Sequence, residues 1–242
     1  MTRPVSTKYL AALGVTLTFT ALLTVPLPNP VYTPGPVRAA TVDGGVPATW
    51  PCRHDVTWAF NPNAAPAGAL PDLSDVFATY ASLTGLTFHY QGTTTSLPQA
   101  DDLATGSIGR RDADIVVAFA WPAGSGMTPT SSLLDNPDTG AAKTATATEF
   151  RDRLGVIRGP ENSILAANIV VVPDVGTGVN YGGRSTVKAF LLHETGHAIG
   201  LDHAKASQQS IMTPTLDGSV TALTTTDAAA ITGLYQQCLH TQ

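Results

Sequence analysis

Residues 193 to 203 read His-Glu-Thr-Gly-His-Ala-Ile-Gly-Leu-Asp-His, an HExxHxxGxxH string that sets three imidazoles and one carboxylate within eleven positions. On a helix His193 and His197, four residues apart, project from one face and can bind one tetrahedral metal ion, with Glu194 at its edge. Gly200 has no Cβ, so the chain can end the helix in a left-handed conformation and double back, which brings His203 to the same ion as a third ligand. Three protein ligands leave a fourth position open. That is the catalytic zinc arrangement, whereas structural sites are usually closed by four protein ligands. A bare HExxH also occurs in ordinary buried helices with satisfied histidines. The longer string fixes five positions with rather uncommon residues, and chance is a poor explanation for it.

The chemistry of such a site is hydrolysis. Zinc lowers the pKa of a bound water towards about 7 and polarises a carbonyl, and Glu194 is placed to accept the water's proton and pass it to a leaving amine. No covalent intermediate is required, so no serine or cysteine nucleophile is needed.

The elements that position these residues can be read from the flanking pattern. Asp55 to Phe60 alternates and is rich in aromatic and β-branched residues, which suits a first strand. Pro71, Asp72 and Ser74 are start signals for a helix whose apolar residues recur with helical spacing from Leu73 to Leu83, until Gly85. Leu86 to Gln91 reads as a second strand and Ile115 to Ala120 as a buried central one. Residues 122 to 148 have no clear period and read as a long surface loop with a short helix near Ser131 to Leu134. Leu154 to Arg158, a candidate edge strand, and Ile164 to Val172 follow. The Gly-rich stretch from Asp174 to Gly183 then leads into the helix of Ser185 to Ile199, which carries the motif. Thr224 is an N-cap candidate with Asp227 at the third helical position, opening a closing helix that includes Ala228 to Cys238.

Composition points to export and away from nucleic acid. Only 13% of the 242 residues are charged and the formal net charge is −5. Arg3 and Lys8 precede a mostly apolar stretch from Tyr9 to Val25, which Pro26 breaks. This is the pattern of a secretory signal, with Ala39/Ala40 the preferred cleavage point and Ala40/Thr41 the alternative. A retained anchor is the competing reading, at the short end for spanning a membrane. The expected organisation is a signal peptide at 1–39, a short linker at 40–50 and one catalytic domain at 51–242. Removing Arg3, Lys8 and Arg38 from 13 basic residues leaves 10 against 18 acidic ones, a formal charge of −8. No basic patch argues for nucleic acid or an anionic membrane, and a secreted monomer acting on protein or peptide is expected.

There are two cysteines, Cys52 before the first strand and Cys238 near the end of the last helix. An even pair in an exported chain most simply forms a disulfide. Closing so long a loop is worth about 4 to 5 kcal/mol in the chain-entropy model. The rival is a cysteine switch, in which the Cys52 thiolate occupies zinc's open position.

The motif at 193–203, followed nine residues later by Met212 in Ser-Ile-Met-Thr-Pro, resembles the metzincin zinc endopeptidases with their Met-turn, and among them the matrixins. Ala113 to Val117 and the Leu-Thr-Thr-Thr-Asp opening of the last helix fall in matrixin order. The resemblance implies an α+β fold: a mixed twisted sheet of about five strands, a zinc-site helix and a C-terminal helix. It implies His193, His197 and His203 as zinc ligands, Glu194 as general base, and Met212 as an apolar floor that does not ligate. It also implies Pro214 beside the specificity pocket, and the edge strand containing Val156 and Ile157 as the partner of an extended peptide. Thr213 stands where matrixins usually have Tyr, and Ala204 where they often have Ser. Pro214 occupies the position of the zinc-linked tyrosine of astacins and serralysins, so that device is missing. The second, structural zinc of matrixins needs histidines that residues 121–163 do not contain, and it is expected to be absent.

Other ligand candidates are weaker. His54, His89 and His240 are isolated and read as ordinary surface or hydrogen-bonding residues. Asp135, Asn136 and Asp138, or Asp174 with nearby carbonyls, could bind calcium, although solvated loop carboxylates read the same way. Asp202 either supports His203 or faces water. A non-catalytic secreted binding or adhesion module that keeps the zinc helix as a folding element is the alternative to a protease. Glu194 separates the two, because a base that is not a ligand has no structural reason to remain.

Overall fold

The computed structural model describes residues 41–42, 46–103, 112–135, 142–148, 163–175, 184–205, 208–216 and 218–240. The two-residue strands β1 (Thr41–Val42) and β2 (Val46–Pro47) pair antiparallel. The main sheet is built from β3 (Asp55–Phe60), β4 (Thr87–Thr93), β5 (Ile115–Phe119), β6 (Ala142–Thr148) and β7 (Ile164–Val171) in the order β4-β3-β5-β7-β6. Its first four strands are parallel and β6 runs antiparallel to β7. This is the mixed five-stranded sheet expected of the family.

The sheet's two faces follow from the period-2 alternation of its strands. Val56, Trp58 and Phe60 of β3, Ile115, Val117 and Phe119 of β5, and Ala167, Ile169 and Val171 of β7 belong to the main core. Helices α1 (Ala69–Thr84) and α2 (Arg184–Ala198) contribute Leu73, Val76, Phe77, Tyr80, Leu191 and Leu192 to that core. Val170, one step out of phase with its β7 neighbours, packs instead with Ala120, Leu133 and Leu134 in a second, smaller cluster. Helix α1 connects β3 to the parallel β4, which requires such a crossover, and it stops where the Gly85 N–H bonds Ala81 O at 3.0 Å.

Helix α3 (Thr225–Leu234) opens with the expected capping box: Thr224 accepts from the Asp227 N–H, and Asp227 accepts from the Thr224 N–H. A last short turn, α4 (Gln236–Leu239), carries Cys238, which is bonded to Cys52. Both sulfurs are spent on that bond, and the cysteine-switch alternative is overturned. Among the described residues no helix is long and apolar enough to cross a membrane, and the stretch from Tyr9 to Val25 lies outside them.

One sequence reading needs correction. The stretch from 122 to 148, read as a loop, contains the expected short helical turn at Ser132–Leu134 but ends in strand β6. From Thr144 to Thr148 the sequence does alternate, but between threonine and alanine, whose hydropathies differ too little to give an amphipathic signal. Pairing with β7, not burial of large side chains, defines the strand. The expected edge strand at Leu154 to Arg158 lies outside the described residues.

Candidate metal centre

Helix α2 presents His193 and His197 one turn apart, with Nε2 atoms 3.0 Å from each other. The chain turns at Gly200, whose φ of 99° is the left-handed conformation expected there. His203 then returns to the pair, its ring centroid 5.3 Å from that of His193 and 4.7 Å from that of His197. One ligand atom from each of the three lies within 4.8 Å of the others. Among the described residues this is the one group of three His, Cys, Asp or Glu side chains able to hold an ion.

Second partners set the tautomers. His193 Nδ1 lies 2.7 Å from Ile211 O and His197 Nδ1 lies 2.8 Å from Leu201 O. A carbonyl can only accept, so both Nδ1 atoms carry the proton and both Nε2 lone pairs point into the gap between the rings. Two lone pairs at 3.0 Å repel each other unless a cation lies between them. Zinc–nitrogen bonds of about 2.0–2.1 Å in a tetrahedron would set them roughly 3.3 Å apart, close to what is found. Burial, then the charge of His197, lowers the His193 pKa from 6.5 to about 3, with the bond to Ile211 O opposing. His193 is thus held in the neutral form that ligates. The donor set fits zinc.

The C-terminal end of α2 is closed completely. Leu201 N bonds Gly196 O at 2.9 Å and Gly200 N bonds His197 O at 2.9 Å, a Schellman motif with Gly200 in the left-handed position. The next two carbonyls are capped from far away in sequence. Trp50 Nε1 donates to Ala198 O at 2.9 Å, and Tyr235 Oη donates to Ile199 O at 2.8 Å while accepting from Trp50 N at 3.1 Å. The Cys52–Cys238 bond ties together the two segments that supply these caps. Higher on the helix, Tyr80 Oη of α1 donates to Leu192 O at 2.7 Å.

Met212 is fully buried, and its sulfur lies so near α2 that a Cβ on Gly196 would sit 2.4 Å from it. The backbone around Met212 also serves the ligands: Ile211 O accepts from His193, and Met212 O accepts from Ala204 N at 2.7 Å, directly after His203. Asp227, fully buried at the start of α3, fixes this turn. Its Oδ1 accepts from Ser210 Oγ, and its Oδ2 accepts from Ile211 N at 3.0 Å and from Thr224 N and Oγ1 at 2.8 Å each.

Glu194 is 4% exposed, and its Oε2 accepts from Thr144 Oγ1 of β6 at 2.6 Å. Asp202 is not idle, since its Oδ1 accepts from the backbone N–H of His203 at 2.7 Å. Pro214 is exposed beyond the Met212 turn, while Val156 and Ile157 lie outside the described residues. His54 stacks on Trp50 and lies 3.1 Å from Asp114 Oδ2, and His89 lies 3.8 Å from Asp55 at the surface, and neither belongs to the triad's ligand set. Of the calcium candidates, Asp135 Oδ1 accepts from Ala123 N at 2.6 Å, while Asn136 and Asp138 lie outside the described residues. Sequence reasoning missed Thr144, Trp50, Tyr80 and Tyr235 as supports, and saw in Asp227 only a helix cap.

No curated protein matches the chain. Among solved structures it is similar to that of myroilysin, at 12% identity and a TM-score of 0.40, over 83% of this chain and 92% of the other. It is also similar to metalloproteinase-II from Bacteroides fragilis, at 12% identity and a TM-score of 0.40, over 86% of this chain and 59% of that one. The sequence profile of the Matrixin family matches residues 49–236, which take in the sheet, α1, α2 with His193 and His197, the turn to His203, the Met212 turn and α3. The chain therefore belongs to the matrixin family of zinc metalloendopeptidases.

Proposed function

We propose that the chain is exported, with residues 1–39 as signal peptide, 40–50 as linker and 51–242 as the catalytic domain, and that it works outside the cell as a monomer on protein or peptide substrates. The arginine and lysine before an apolar stretch support export, as does the Cys52–Cys238 disulfide, a bond that persists in oxidising compartments. His193, His197 and His203 would hold one zinc ion, which would supply Lewis acidity for the scissile carbonyl and lower the pKa of water towards about 7.

The chain's own residues do the rest. The Nδ1 bonds of His193 and His197 keep both imidazoles neutral and aimed inward. A carboxylate oxygen of Glu194 takes the proton of the attacking water and returns it to the leaving amine. An extended peptide, expected from the sequence on the strand containing Val156 and Ile157, is placed instead antiparallel on the outer side of β6, the end strand of the sheet among the described residues, whose Thr144 already touches Glu194. Pro214 borders the pocket for the side chain next to the cleaved bond.

The observation that carries this reading is the convergence of three imidazoles beside a buried glutamate that is not among them. Cleavage of casein or gelatin by the mature protein, lost with a chelator and in Glu194→Ala, is the expected result. Stoichiometric zinc binding with no cleavage of these or of a diverse peptide library would refute it. Intact mass of the exported protein tests the boundary at Ala39.

A further inference from the structure

We propose that Thr144 is a positioning residue for Glu194, an inference that rests on the reading of Glu194 as the general base. The Thr144 hydroxyl lies 2.6 Å from Glu194 Oε2 and 2.9 Å from the backbone carbonyl oxygen of the same residue. One oxygen on the neighbouring strand therefore meets both the side-chain carboxylate and the main-chain carbonyl of Glu194. The shared hydroxyl ties the carboxylate to one place beside its own main chain, which restricts rotamers that a solvent-facing glutamate would sample freely.

The separation of 2.6 Å falls in the range of a hydroxyl donating to an ionised carboxylate. The platform is stiff, because threonine is branched at Cβ and β6 is paired to β7 on both sides of this position, with Thr144 opposite Ile169. A hydroxyl both donates and accepts. The contact can thus persist once the carboxyl carries a proton, with Thr144 Oγ1 then donating to Glu194 O. A methyl group in the same place could do neither.

The competing account is a plain structural tie between β6 and α2. It predicts that losing the hydroxyl lowers stability or metal affinity and affects binding and turnover alike. A positioning role predicts a split between them. In the zinc-loaded mature protein, Thr144→Val, which keeps shape and strand preference, should lower kcat by about 10- to 100-fold, the scale of a misplaced catalytic group. KM, zinc content, zinc affinity and melting temperature should stay at wild-type values, and Thr144→Ser should recover most of the lost kcat. A crystal structure of zinc-loaded Thr144→Val should show the Glu194 carboxylate turned away from its wild-type position or split between rotamers.

Wild-type kcat in Thr144→Val, an unmoved Glu194, or a loss shared by KM and zinc affinity that serine does not repair would each overturn the proposal. If the valine variant does not fold, Thr144→Ala against Thr144→Ser gives the same comparison. Glu194→Ala is the separate arm: full activity in that variant refutes the base assignment itself, whereas an inactive Glu194→Ala beside a fully active Thr144→Val refutes only the role of Thr144.

Discussion

Replacing Gly200 by alanine puts a methyl group where the fold leaves no room, and the outcome can be worked from two independent causes. The first is conformational: φ is 99° at this position, and a non-glycine residue held there costs about 1–3 kcal/mol. The second is steric. A Cβ at Gly200 would lie 2.0 Å from the backbone oxygen of Ala48, so one of the two chains must move. Ala48 cannot retreat freely, because its neighbours are pinned by Ile164 N on Thr49 O at 2.8 Å, by Trp50 Nε1 on Ala198 O at 2.9 Å and by Trp50 N on Tyr235 Oη at 3.1 Å. Giving up two of these bonds, at about 0.5–1.5 kcal/mol each, brings the expected loss to about 2–6 kcal/mol. In a domain of this size that lowers Tm by roughly 4–24 °C, and it should be read by melting the chelated protein so that zinc does not mask it. Because the clashing atom is backbone, Ala48→Gly should not rescue the variant. A loss below about 1 kcal/mol, or rescue by Ala48→Gly, would refute the reasoning.

Gly196 makes the opposite prediction, since the atom in its way is the Met212 sulfur at 2.4 Å. Gly196→Ala gains about 1 kcal/mol of helix propensity and loses about 1–3 kcal/mol to overpacking. The pair Gly196→Ala with Met212→Ala should be more stable than the sum of the single changes by about 1–2 kcal/mol in a denaturation cycle, and strict additivity would count against the contact. Replacing Cys52 and Cys238 by alanine opens a loop of 186 residues and should cost about 5 kcal/mol by chain entropy, measured as the shift in urea midpoint at unchanged pH. Burial raises the pKa of both Tyr80 and Tyr235 above the ordinary 10.0. Each is an acid that is neutral when protonated, so its contribution is complete below about pH 10 and is lost as pH rises beyond it. Stability should fall steeply in that alkaline range, and Tyr235→Phe should reduce the slope; a flat profile to pH 11 would contradict it.

The candidate metal ligands were legible because they are local. His193, Glu194, His197, Gly200 and His203 lie within one helix and one turn, so spacing alone assigns their geometry. Their supports are not local: Tyr235 reaches Ile199 across 36 residues, Thr144 reaches Glu194 across 50, Tyr80 reaches Leu192 across 112 and Trp50 reaches Ala198 across 148. Each supplies a generic hydroxyl or indole N–H to a backbone or side-chain oxygen. No residue type or interval distinguishes these donors from the chain's other tyrosines, tryptophans and threonines until the fold is known. Asp227 sits between the two cases, because its box with Thr224 is a local pattern while its bonds to Ser210 and Ile211 are tertiary.

Strand β6 was missed for a reason tied to its place in the fold. A strand buried on both faces, such as β5, announces itself as a continuous apolar run, Ile-Val-Val-Ala-Phe. On the proposed function β6 would wall the hydrolytic cleft, and such a strand has the opposite requirements: it must keep backbone groups available for an incoming peptide and face a polar site on one side. Large apolar residues would cover that site, and alternating charge would block pairing, so small residues and threonines satisfy both conditions. The Ala-Thr alternation of β6 meets them, at the cost of any hydropathy signal, and it brings Thr144 to Glu194. In a chain with a recognisable metal motif, a featureless Ala-Thr stretch is therefore worth testing as the substrate-side strand before it is read as a loop.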